Sequence, residues 1–210
     1  DRVVRLDHRV DVHALARSGD ARLDPLERPF PKPLLCCRVE QHRQRALALL
    51  NDPNRIAMPD EVMGDVVANH WVDENHKRGL WRVSPLAAYL AGKPQWRTVI
   101  DVDALGKTEG KSWVWHGANC LAPEYRHCLI SLSPGGSDAD VVREFDMSTG
   151  QFVAGGFEVP EGKNNATFAD ENTLLVARVE GDGTATKSGY PRIVKEWKRG
   201  TPWSSATPVA

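Results

Sequence analysis

Between Trp113 and Phe152 the chain runs WVWHGANCLAPEYRHCLISLSPGGSDADVVREFDMSTGQF. Short β-prone runs, Cys128–Leu132 and Ala139–Phe145, flank Ser133-Pro134-Gly135-Gly136-Ser137-Asp138, where Pro presets φ and Gly accepts positive φ. Asp146-Met147-Ser148-Thr149-Gly150 makes a second turn before Gln151-Phe152-Val153. Turns placed this closely leave no room for helices. They predict three or four antiparallel strands in about 40 residues, the size of one propeller blade.

The same alternation recurs on both sides. Val66–Val72 and Gly79–Val83 read as paired strands around a polar turn, and Trp96–Val102 as a third. Ser84-Pro85 through Gly92 predicts a short helix with Ser84 as N-cap and Pro85 at the first helical position. Asp103–Gly110 reads as a polar loop or a turn of helix. Asn165–Ala169 and Thr173–Val179 form a hairpin across Asp170-Glu171-Asn172; a flexible loop over 180–188 and a last strand, Tyr190–Trp197, follow. The units begin near Val66, Trp113 and Asn165, a spacing of roughly 50 residues that suits four-stranded blades, although a β-sandwich gives a similar string.

The first 60 residues differ. They hold ten arginines, one lysine (Lys32) and one aromatic residue, Phe30. Residues 1–37 keep neither the helical nor the strand period and read as an irregular or extended N-terminal segment, open to being foreign to the fold. Residues 38–60 read as helix and linker: in Arg38–Leu50 the positions Val39, His42, Ala46, Leu49 and Leu50 share a face, and Asn51-Asp52-Pro53 stops the helix. Residues 61–202 are the incomplete propeller, about two and a half four-stranded blades, and 203–210 a polar tail. The fold class is therefore mainly β, a partial β-propeller preceded by one amphipathic helix.

Composition removes several functions. With 27 Lys plus Arg against 28 Asp plus Glu the formal net charge is −1, so no basic field draws nucleic acid or an anionic membrane. The apolar runs are too short for a membrane span. Four cysteines are too few for a disulfide scaffold, so buried, reduced thiols and a cytoplasmic location are expected. The chain opens at Asp1 without a Met and without a basic-then-apolar leader, and reads as a piece lacking its true start.

Few residues suggest chemistry. His116, Cys120, His127 and Cys128 are the candidates for a zinc cluster, yet neighbours on a strand, such as His127 and Cys128, point to opposite faces. Trp71, Trp81, Trp113 and Trp115 lie inside β runs, where large aromatics fill the space between sheets. The carboxylate pairs Asp101 and Asp103, or Glu158 and Glu161, lack a flanking partner, and Gly155-Gly156 and Asp182-Gly183 are too short for phosphate loops. The glycines around Ser133–Ser137 belong to a hairpin turn; no G-x-S-x-G elbow for a hydrolase nucleophile occurs in the sequence. No catalytic, cofactor-binding or metal residue is assigned.

Several stretches, in order, resemble the N-terminal region of bacterial prolyl oligopeptidase-family serine peptidases. They are Asn69–Asp73, Arg78–Arg82, Trp96–Leu105, Trp113–Ala118, Tyr125–Leu129, Val142–Asp146, Gly189–Arg192 and Lys198–Pro202. The resemblance spans roughly residues 38–202 and is most specific over 113–146. It implies a seven-bladed propeller that admits short peptides to a Ser-His-Asp hydrolase domain cleaving after proline. The expected partners are that C-terminal α/β-hydrolase domain and, in the full enzyme, short peptides. This chain would be non-catalytic alone and could self-associate through open sheet edges. The alternative is a small stand-alone β-propeller-like binding or scaffold protein.

Overall fold

A computed structural model describes residues 32–50, 52 and 57–209. The chain divides into two units, 1–48 and 49–210.

The first unit carries most of helix α1, Lys32–Leu50. The helix begins six residues ahead of the predicted Arg38. Pro33 does not stop it, because the first turn has no intrahelical use for the missing N–H. Residues 32–37 are thus helical rather than irregular, while the expectation for 1–31 lies outside the described residues. Val39 and Leu49 are exposed, and Glu40 pairs with Arg43 at 2.9 Å.

In the second unit three antiparallel sheets follow one another along the chain. The first comprises β1 (Glu61–Met63), β2 (Val66–Trp71), β3 (Leu80–Pro85) and β4 (Arg97–Asp101), paired in sequence order. Between β2 and β3, Asp73 Oδ1 accepts the backbone N–H groups of Asn75 and His76, both at 2.9 Å. Ser84 is not the cap of the next helix. It is buried and paired within β3, and its Oγ accepts the Gln95 N–H at 2.8 Å; α2 (Leu86–Leu90) starts from Pro85 instead. The stretch after β4, read as a polar loop or a turn of helix, is a two-turn helix, α3 (Val102–Glu109), and Asp101 caps it through the Ala104 N–H at 2.9 Å. Gly110 ends α3 at φ 64°, the left-handed conformation that glycine adopts without a Cβ clash.

The second sheet has β5 (Trp113–Cys120), β6 (His127–Pro134), β7 (Asp140–Asp146) and β8 (Gln151–Phe152), with β9 (Glu158–Gly162) also on β7. β8 pairs with Phe145 and Asp146, and β9 with Asp140 to Arg143, so the two share one edge of β7. Glu144 bridges the gap: its N–H reaches Phe157 O and its carbonyl accepts the Val153 N–H, each at 2.9 Å. The third sheet is β10 (Asn164–Asp170), β11 (Thr173–Arg178), β12 (Val194–Lys198) and β13 (Thr207–Pro208). Thr207 pairs with Glu196, so part of the predicted tail completes a third four-stranded blade where the sequence suggested half of one. Pro208 is tolerated there because an edge strand need not donate outward.

Two apolar clusters form the core. Trp81, Ile100, Val102, Trp113, Ile130, Leu132 and Phe145 join the first two sheets, and Leu129, Val142, Phe157, Val159, Leu174 and Val176 join the second and third. Burying each large side chain is worth about 1.5–3 kcal/mol, more than an exposed ion pair supplies. The apolar clusters therefore hold the sheets together.

Candidate functional site

A cleft of about 410 Å³ opens between the first and second sheets. Asp60, Glu61, His70 and Trp81 line one side, and Trp115, His116, Gly117 and Ala118 the other. Asp60 immediately precedes β1, and the other lining residues come from β1, β2, β3 and β5. β1 and β5 are the end strands of their sheets, so the cleft follows two sheet edges.

Its floor is aromatic. The Trp115 ring stacks on His70 at 5.6 Å and on Trp81 at 5.4 Å, while Phe145 meets Trp81 edge-on at 6.3 Å. His70 is fixed on two sides. Its backbone N–H donates to Asp60 Oδ2 at 2.5 Å, and its ring Nε2 lies 2.9 Å from Arg78 O. A carbonyl can only accept, so Nε2 carries the hydrogen. The ring lies so close to Gly79, at φ 95°, that any Cβ there would collide with it.

A β-bulge aims His116. Trp115 pairs with Leu132 and Gly117 with Ser131, leaving His116 as the extra residue. Its Nδ1 lies 3.6 Å from Asp140 Oδ2. Burial pushes the Asp140 carboxyl above its ordinary range, against the pull of His116. Burial also raises the carboxyl of Glu61.

The zinc candidates do not converge. Cys120 and Cys128 face each other across β5 and β6 and form a disulfide, S–S 2.01 Å, which corrects the expectation of reduced thiols. His127 turns to buried Glu144, with Nδ1 3.0 Å from Oε1 but without the alignment of a hydrogen bond. Among the described residues no group of His, Cys, Asp or Glu is arranged to hold a metal ion. Of the four tryptophans, Trp81 and Trp113 are core. Trp115 packs against that core and also lines the cleft. Trp71 lies under the Arg82 guanidinium at 4.1 Å. Asp101 and Asp103 are structural: the first caps α3, and the second accepts the backbone N–H groups of Arg78 at 2.8 Å and Gly79 at 3.2 Å. Glu158 and Glu161 sit on the β9 stretch, and Gly156 packs beside Glu144 and Val153. The cleft itself was not foreseen, since its walls lie about 50 residues apart in sequence.

Second and third sheets are joined by charge as well. Arg199 Nη1 and Nη2 meet the two oxygens of Glu144 at 2.8 and 2.9 Å, and the Phe157 N–H adds a third contact at 2.9 Å. Burial alone would raise the Glu144 carboxyl; Arg199, the Phe157 N–H and His127 outweigh it and hold it below the ordinary carboxylate range.

The family model for the N-terminal β-propeller domain of prolyl oligopeptidase matches residues 39–210. The chain belongs to this family. An uncharacterized peptidase of Sinorhizobium fredii is 46% identical over 172 residues, a match covering 82% of this chain and 24% of that protein. Another, from Rickettsia prowazekii, is 36% identical over 143 residues, covering 64% of this chain and 20% of that protein. The chain thus spans about a quarter or less of the curated relatives it matches. Among solved structures, a post-proline cleaving enzyme from Rickettsia typhi superposes with a TM-score of 0.71 at 31% identity, over 81% of this chain and 26% of that one. Oligopeptidase B from Leishmania major, at 14% identity and a TM-score of 0.57, covers 83% of this chain and 23% of its own, and shares the fold. The three sheets are accordingly blades of a prolyl oligopeptidase propeller, and β1, β5 and β10 are the first strands of successive blades. Among the described residues no helix is long and apolar enough to cross a membrane.

Proposed function

We propose that residues 61–208 serve as the first three blades of a propeller that restricts peptide entry to the Ser-His-Asp hydrolase domain of a prolyl oligopeptidase-type serine peptidase. The observation that carries this reading is the family match over residues 39–210, together with the superposition on the Rickettsia typhi post-proline cleaving enzyme. The blades act sterically. Packed sheets with aromatic and ionic contacts between them, as at Trp81–Trp115 and Glu144–Arg199, resist splaying and keep an entrance narrow.

The chain itself contributes no nucleophile, general base, cofactor or metal ligand in this reading. A fluorophosphonate probe, which labels activated serines, is expected to leave the 210-residue chain unmodified; stoichiometric labelling would overturn it. Three blades do not close a ring, so the chain alone should self-associate through its open edges and faces. Sedimentation of a strict monomer at all concentrations would favour a stand-alone scaffold.

A further inference from the structure

We propose that the cleft between the first two blades binds a positively charged group of a peptide, an arginine or lysine side chain or an N-terminal ammonium. Among the described residues its lining holds two carboxylates, Asp60 and Glu61, and neither a lysine nor an arginine. Asp60 is exposed, and its Oδ2 already accepts the His70 N–H. Glu61 is different. Burial disfavours its ionised form, and among the described residues no hydrogen bond or ion pair compensates it. A carboxylate held half-buried and unpaired beside a cavity costs stability unless something cationic enters.

The aromatic floor points to the same chemistry. Trp115, held in place by His70 and Trp81, offers an indole within the cleft, and a cation over an indole face is attracted by the ring quadrupole. Guanidinium suits the pair of features, since it stacks on aromatic faces while donating to carboxylates in a fork. The bulge leaves His116 as the extra residue in the cleft wall contributed by β5, with its Nδ1 3.6 Å from Asp140 Oδ2. A volume of about 410 Å³ lies within the range of small-ligand sites and accommodates one side chain and its flanking backbone.

That the cation belongs to a peptide rests on the gating role proposed above; the charge preference rests on the cleft alone. The two are tested separately. Titrating the 210-residue chain with an end-blocked tripeptide bearing a central arginine, followed by tryptophan fluorescence and calorimetry at low salt, should show saturable binding. Replacing arginine by neutral, nearly isosteric citrulline should weaken it about tenfold, and so should Glu61→Gln in a variant with unchanged circular dichroism. A citrulline peptide with a free amino terminus that binds more tightly than the blocked arginine peptide would identify the ammonium as the group held. Equal affinity for all three peptides, no binding of any of them, or no loss in the Glu61→Gln variant would each overturn the proposal. Failure there leaves steric gating intact, and a gating failure would leave cation binding intact.

Discussion

Arg199 grips Glu144 with both guanidinium arms, at 2.8 and 2.9 Å, although the carboxylate lies on β7 and the arginine follows β12. The Glu144 side chain has no exposed surface, whereas that of Arg199 keeps 29%. Removing the arginine strands a buried charge. Arg199→Met should therefore cost about 3 kcal/mol in urea unfolding, the lower end for a broken buried pair because Arg199 is partly wet. The double variant Glu144→Gln/Arg199→Met should recover much of that loss. Because the Glu144 carboxyl is held below its ordinary range, its stabilisation is present above that range and fades as pH falls through the lowered value. The double variant should show a flatter acid limb.

Glu61 carries the opposite sign. Its folded-state carboxyl is raised by burial, so the folded protein holds its proton more tightly than the unfolded chain. Stability then declines as pH rises from the ordinary carboxylate range through the raised value. Glu61→Gln should raise the urea midpoint at pH 7, and the gain should vanish on acidification. A destabilising effect at pH 7 would mean that Glu61 has a partner in the folded chain.

Much of this architecture was legible in the chain. The turns at Ser133–Asp138 and Asp146–Gly150 separate β6, β7 and β8 as their Pro and Gly content predicts. What escaped were elements whose pairing is decided elsewhere. Glu158–Gly162 contains Pro160 and two glutamates, a poor strand by propensity, yet it pairs with β7 beyond the gap bridged by Glu144. Thr207–Pro208 becomes strand because β12 offers an edge. Ser84 has the chemistry of a cap but is claimed by β3 and by Gln95. The cleft was hidden for a similar reason: His70, Trp81 and Trp115 are ordinary strand residues until two blades pack, and only the packed pair leaves Glu61 beside their stack.

Cys120 and Cys128 show how register defeats spacing. Their pairing depends on the loop between β5 and β6 setting Cys120 opposite Cys128, a register that two cysteines eight residues apart do not specify. The protein purified without reductant should be lighter by two hydrogens in intact mass than after reduction. Reduction should cost about 2–3 kcal/mol, the closure entropy of a loop this short. An unchanged mass on reduction would return both residues to the thiol state.

Gly79 is required twice, by its φ of 95° and by the His70 ring packed on it. Gly79→Ala should cost about 1–2 kcal/mol for the backbone conformation alone. It should also displace His70 from Trp115, changing the near-ultraviolet circular dichroism of the indole. A variant with wild-type stability and spectrum would mean that the His70 ring is not seated there.

The gating role is tested most directly by transplanting residues 39–210 into the Sinorhizobium fredii relative in place of its matching segment. If these blades complete a working propeller, the folded chimera should cleave a short proline-containing peptide and leave a long unstructured protein intact. A folded chimera that cleaves both at similar rates would contradict the steric role proposed for this chain.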